Sequence, residues 1–177
     1  MTADKPLSPT ELKRLHRSWR RRSDLRLSLI LDGVQKPYNV GGLLRSAAAY
    51  AVETVWAVPP TPSPDHSAVA KTALGSGRFV SWVECPSGPE AVAAARDQGF
   101  TVVAIELTAA ADPLFTIDAG DAVCLVLGHE ERGIHRDTLA AVDRVGFLPQ
   151  RGKIGSLNVA QAATVAMYEM TRQSWSR

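Results

Sequence analysis

An α/β fold, with a largely parallel sheet flanked by helices, is what this sequence predicts, and three observations carry the prediction. Short apolar, β-branched runs recur along the chain, as at Thr54–Val58 and residues 122–127. Between them lie segments with one apolar face at helical spacing. The two patterns alternate in order, which is the signature of strands joined by crossover helices.

The chain opens on a basic arm. Ser8-Pro9-Thr10-Glu11 has capping-box spacing, with Ser8 as N-cap, so the arm is expected to be helical. Residues 25–31 alternate and then run apolar, as a strand entering a core would. Val40, Leu43, Leu44, Ala47, Ala48 and Ala51 form one face of the next helix. Strands are expected at Thr54–Val58, 79–83, Thr101 to Glu106, 122–127 and 145–148. Helices are expected at 91–98, ended by Gly99, and at 137–141. A last one carries Val159, Ala162, Ala163, Ala166, Met167 and Met170 on its core face. The proline-rich stretch from Val58 to Pro64 reads as a stiff surface loop. This divides the chain into an arm of residues 1–26 and one domain over 27–177.

Charge is unevenly placed. Residues 1–26 hold eight Lys and Arg against three acids, and the remainder holds twelve against fifteen. A basic arm on a mildly acidic body fits a polyanion gripped at one edge, with a solvated helix face as the alternative. No apolar run approaches the roughly 18 residues of a membrane span, and Met1-Thr2-Ala3-Asp4 begins no signal peptide, so a cytoplasmic protein without a membrane partner is expected. Cys85 and Cys124 lack a CxxC partner and read as buried small residues. His16, His66, His129 and His135 show no metal-ligand spacing, and His129 reads as an exposed turn residue.

Three segments place glycine or asparagine between a strand and a helix, where ligands of open α/β sheets bind. In Asn39-Val40-Gly41-Gly42-Leu43-Leu44-Arg45, Asn39 reads as an N-cap. Each glycine in the first turn costs about 1 kcal/mol against alanine, so a close approach of backbone or ligand is expected there. Arg45, among apolar neighbours, calls for an anion partner or a structural salt bridge. In Gly128-His129-Glu130-Glu131-Arg132-Gly133-Ile134 a buried strand ends in an acidic turn. That turn would hold a neutral or cationic ligand, cap an arginine, or simply turn the chain. The third segment, from Leu148 to Gln161, joins a basic glycine-rich loop to a helix start with Asn158 and Gln161 in capping-box spacing.

In order and spacing these segments resemble the signature motifs of the SpoU (TrmH) branch of the SPOUT methyltransferases. The first is Asn39-x-Gly41-x-Leu43-x-Arg45, and the second Gly128-x-Glu130-x-x-Gly133-Ile134. The third is Pro149-x-x-Gly152-x-x-x-Ser156-Leu157-Asn158-Val159-Ala160. The resemblance covers roughly residues 27–173, and Gln150 departs from the methionine of many relatives. It implies a SPOUT fold with a C-terminal trefoil knot, here within about residues 122–169, and S-adenosylmethionine as cofactor. The implied cofactor contacts are Leu107, Thr108, Gly128, Leu148, Ser156 and Leu157.

It also implies methyl transfer to a ribose 2'-hydroxyl of RNA, with Arg45 at the reaction centre and Asn39, Glu130 and Asn158 as the other polar signature residues. A homodimer is implied too, with Arg20, Arg21 and Arg22 gripping RNA. Lys36-Pro37-Tyr38 and Ala73-Leu74-Gly75-Ser76-Gly77 look like the tRNA guanosine 2'-O-methyltransferases, so tRNA is favoured over ribosomal RNA. Tyr38 would stack on a base or pack at the helix start. The alternatives are a ribosomal RNA methyltransferase and a non-catalytic RNA-binding module, which would be expected to have lost a signature residue. A dinucleotide oxidoreductase is disfavoured, because no G-x-G-x-x-G follows a strand.

Overall fold

The computed structural model describes residues 5–176, so the first four residues of the expected arm lie outside them. In chain order the elements are α1 (Pro9–Arg20), β1 (Arg26–Asp32), α2 (Pro37–Ala49), β2 (Thr54–Val58), α3 (Ser67–Ala73), β3 (Ser81–Glu84) and α4 (Gly88–Asp97). They continue with β4 (Thr101–Ile105), β5 (Asp112–Pro113), β6 (Ala122–Gly128), α5 (Arg136–Ala141), β7 (Arg144–Phe147) and α6 (Val159–Trp175). The seven strands form one sheet in the order β3-β2-β1-β6-β4-β7-β5, and every pairing is parallel.

Alternation along the strands sorts side chains onto two helical layers. Leu27, Leu29 and Leu31 of β1 and Val123, Leu125 and Leu127 of β6 join the core shared with α2, α3 and α6. Ile30, Cys124 and Val126 face the other way, into a core with Trp56, Phe100 and the inner face of α4. Both faces are covered, which is why these strands read as near-continuous apolar runs. Cys85 and Cys124 are free and buried, as expected.

The chain leaves β1 outward to β2 and β3, then returns to lay β4 and β6 on its other side. The sheet order therefore reverses beside β1. Parallel strands bring their carboxyl ends to one edge, and a reversal there leaves a crevice between the diverging connections.

Three boundaries differ from the sequence reading. α2 starts at Pro37 with Lys36 as N-cap, because proline at the first position has its φ already set for a helix. Asn39 is therefore inside the helix rather than its cap, and Gly41 and Gly42 lie beyond the first turn. β3 starts at Ser81, since Ser76–Phe79 is a 3-10 turn. α3 was not expected: only Val69 and Ala73 are buried on its seven residues, too few to show a helical stripe. α3 also explains Gly41. A Cβ there would lie 2.5 Å from Thr72 Cβ and 2.8 Å from the Val69 carbonyl, so α2 and α3 touch through that glycine. No helix among the described residues is long and apolar enough to cross a membrane.

Candidate active site

At the carboxyl edge of the sheet the three glycine- and asparagine-bearing segments meet through side-chain hydrogen bonds. Asn158 caps α6, its Oδ1 accepting the Ala160 N–H at 3.0 Å, while its Nδ2 donates to Asn39 Oδ1 at 3.0 Å. Asn39 Nδ2 in turn donates to Glu130 Oε1 at 2.7 Å. The Glu130 carboxylate also accepts the backbone N–H groups of Gln35 at 3.1 Å and Lys36 at 3.0 Å. It thus sits at the start of α2, where a negative charge is favoured by the orphan amides and the helix dipole. Burial alone would raise the Glu130 carboxyl. The bonds from Asn39 and from the amides of Gln35, Glu130 itself and Lys36 outweigh it and hold the group below the ordinary carboxylate range.

Glu130 therefore caps backbone amides and not an arginine. The expected capping box at Asn158 is present only as the N-cap, with no return bond from Gln161 among the described residues.

The loop after β6 is tied down from two further strands. Glu106, just past β4, accepts the N–H groups of Leu107 and Ile134, both at 3.0 Å. Asp32, the last residue of β1 and 7% exposed, accepts the His135 N–H at 2.8 Å. His129 is half-buried rather than simply exposed. Its Nδ1 accepts the Glu131 N–H at 3.0 Å and its Nε2 meets Gln35 Oε1 at 3.1 Å. The loop folds back so closely that a Cβ on Gly128 would lie 2.3 Å from Gly133 C and Ile134 N. Glu106 and Asp32 were missed from the sequence. Their signal was available, since each is an acid directly at the carboxyl end of a parallel strand.

These ties wall a cleft of about 430 Å³, lined among others by Lys36, Gly128, Glu130, Ser156, Leu157 and Asn158. An apolar recess of about 110 Å³ adjoins it and includes Leu107, Leu148, Gln150, Ser156 and Leu157. Of the six residues expected to contact a cofactor, five line these two spaces; Thr108 does not.

Arg45 stands two turns beyond Asn39 on α2, exposed, with no hydrogen bond or ion pair among the described residues, so the structural salt bridge considered for it is not formed. Tyr38 is 65% exposed and does not pack at the helix start. The arm is elsewhere. The Trp19 and Trp175 rings lie 4.8 Å apart, and Ser23 Oγ bonds Ser174 Oγ at 2.8 Å, which seats α1 against the far end of α6. Seventeen helical residues, roughly 25 Å, separate that end from Asn158 at the cleft.

The model of the SpoU rRNA methylase family matches residues 26–168. The chain belongs to the SpoU family. The tRNA (guanosine(18)-2'-O)-methyltransferase of Escherichia coli strain K12 is 32% identical over 167 residues, 94% of this chain and 72% of that protein. The 23S rRNA (guanosine-2'-O-)-methyltransferase RlmB of Xanthomonas axonopodis pv. citri is 35% identical over 147 residues, 83% of this chain and 59% of the relative. The SpoU methyltransferase AviRb of Streptomyces viridochromogenes, solved with its cofactor S-adenosylmethionine, superposes with a TM-score of 0.77 at 26% identity, covering 88% of this chain and 62% of that one. SpoU proteins are S-adenosylmethionine-dependent RNA 2'-O-methyltransferases, and this chain shares their parallel sheet and flanking helices.

The cleft suits that cofactor. Its walls combine a glycine with no room for a side chain, the small Ser156, and the apolar Leu107, Leu148 and Leu157, a mixture that fits an adenosine held mainly by backbone groups.

Proposed function

We propose that this SpoU protein methylates the 2'-hydroxyl of a ribose in RNA, with a tRNA guanosine as its target. The observation that carries this reading is the hydrogen-bonded chain Asn158–Asn39–Glu130, which joins all three signature segments at the rim of the cleft and fixes the helix bearing Arg45. The tRNA assignment rests on the breadth of the match to the Escherichia coli tRNA enzyme, 94% of this chain against 83% for the ribosomal RNA relative. The ribosomal alternative is supported by the higher identity of the latter, 35%.

When bound, S-adenosylmethionine supplies an electrophilic methyl group. Leu107, Gly128, Leu148, Ser156 and Leu157 would hold it, with Thr108 in the adjoining loop, beside the carboxyl ends of β4, β6 and β7. The protein must then orient a ribose hydroxyl for in-line attack and ease the loss of its proton. Arg45 is suited to the electrostatic half of this task. A neutral arginine at pH 7.5 costs about 7 to 9 kcal/mol, from a pKa of about 12.5 to 13.8, so the charged guanidinium acts as a clamp on the neighbouring phosphate and on the developing alkoxide. Asn39, Glu130 and Asn158 position that helix and the cleft wall.

The separation of arm and cleft along α6 supports a homodimer in which RNA held by Arg20, Arg21 and Arg22 reaches a site on another copy. The reading places the protein in the cytoplasm, and the knot implied for residues 122–169 would form the cleft's floor.

Labelled S-adenosylmethionine incubated with unmodified tRNA, beside ribosomal RNA, tests this directly, with the modified nucleotide located by digestion. Label at one tRNA guanosine is expected, lost in Arg45→Ala with cofactor affinity retained. Label in ribosomal RNA alone would overturn the tRNA target, and an Arg45→Lys variant as active as wild type, or more so at high pH, would overturn the clamp in favour of a base.

A further inference from the structure

On the other side of the 129–135 loop from the cofactor cleft lies a larger groove, of about 880 Å³. The loop is a shared wall, since His129 and Gly133 line both spaces. Its lining includes four proline rings, Pro59 and Pro60 after β2 and Pro86 and Pro89 around the start of α4. The lining also includes Arg132 and Arg136. Both are exposed, and neither guanidinium has an ion-pair or hydrogen-bond partner among the described residues. Of the acids at the groove, Asp32 accepts the His135 N–H, and Asp137 lies exposed 3.7 Å from the His135 ring.

We infer that this groove binds a nucleotide of the RNA strand next to the one being methylated, with its phosphate on Arg132 and Arg136 and its base along the proline wall. Three observations converge. The volume falls within the range of small-ligand sites, about 300 to 1,000 Å³. Each of the two free guanidiniums carries the planar donor fork that matches phosphate, and the rigid proline rings in the same groove offer apolar surface to a base. The basic arm packs against the far end of α6, roughly 25 Å along that helix from Asn158 at the cofactor cleft, and none of its residues lines this groove. A strand threaded into the cleft needs cations at this edge, and Arg132 on the loop that closes the cofactor space and Arg136 at the start of α5 supply them. The inference rests on the RNA reading above and deepens it by naming the surface that sets the strand's path.

The test is equilibrium binding of an unmodified tRNA transcript and a ribosomal RNA fragment at several salt concentrations, for wild type and Arg132→Ala/Arg136→Ala. S-adenosylhomocysteine affinity is measured on both proteins. For RNA, the double variant is expected to bind at least tenfold more weakly, and the slope of log affinity against log salt to fall by about 1.4 to 1.8, the loss of two phosphate contacts. Cofactor-product affinity should be unchanged, which shows the loop still folded. Arg132→Lys/Arg136→Lys should keep most of the salt slope yet recover only part of the affinity. A double alanine variant equal to wild type in affinity and slope, in a protein that methylates RNA, overturns the groove alone. A wild type that binds RNA with the expected Arg132/Arg136 dependence but transfers no methyl group removes the proposed reaction and supports the groove.

Discussion

The two ends of α6 are held by different physics. At its N-terminus Asn158 enters a chain of hydrogen bonds ending on a carboxylate that also caps α2, and two more carboxylates pin the neighbouring loop. At its C-terminus Trp175 meets the Trp19 ring of α1 and Ser174 bonds Ser23 just beyond that helix, and none of α1's own residues is buried. Charge-assisted bonds are short and directional, worth roughly twice neutral ones, whereas an exposed aromatic pair adds about 0.5 to 1.5 kcal/mol. This fold is held rigidly where the cofactor cleft is shaped, and its basic arm is lightly seated.

Breaking the rigid end should cost most. In Gly128→Ala the new Cβ meets backbone atoms of Gly133 and Ile134 that cannot rotate aside, so about 3 kcal/mol or more should be lost. In a chain of this size that is a fall in melting temperature of roughly 6 to 12 °C, together with loss of cofactor binding by calorimetry. A melting temperature within a degree or two of wild type would show that the loop gives way easily.

Glu130 sharpens the comparison at intermediate size. Removing it in Glu130→Ala strips three donors of their acceptor, but Gln35 and Lys36 are exposed and can turn to water, so about 1.5 to 3 kcal/mol is expected. The folded carboxyl titrates below its unfolded value near 4.3, so its contribution is complete above that pH and is lost as pH falls through the folded value. Urea unfolding of wild type and Glu130→Gln should therefore give stabilities that differ at pH 6 and draw together only as pH falls below the unfolded carboxylate range and through the folded value. A gap that stays constant with pH would mean the carboxylate is not what matters.

The smallest effect belongs to the arm. Trp175→Ala should leave the melting temperature within about 3 °C of wild type while trypsin cuts at Arg14, Arg17 and Arg20 several times faster. Equal cleavage rates would mean that the tryptophan pair does not seat the helix.

Much of this was legible in the sequence, for reasons that also explain the misses. β1 and β6 announced themselves because both faces of the sheet are covered and their apolar runs are unbroken. The Ser8–Glu11 capping box reads directly because it is local. The signature segments and Arg45 could be named from spacing, but the bonds between them could not, since Asn39 meets Asn158 across 119 positions. That separation is also why Asn39 read as a helix cap: its true partners are invisible along the chain, while Pro37 had already started the helix. α3 was missed because a seven-residue helix with two buried side chains has no period to detect. Glu106 and Asp32 carry no motif, only a position at the end of a strand, and become informative once the sheet order shows that those ends share one edge.

If Asn39, Glu130 and Asn158 act as one unit that shapes the cofactor cleft, their effects on cofactor binding are coupled. A double-mutant cycle on S-adenosylmethionine affinity tests it, using Asn39→Ala, Asn158→Ala and the pair, with Trp19→Ala as a distant control. Because Asn158 and Asn39 share a hydrogen bond, each single change should weaken binding and the pair should cost less than the two together, a coupling of about 0.5 kcal/mol or more, with the control near zero. Strict additivity, or no loss of affinity in either single variant, would contradict the account.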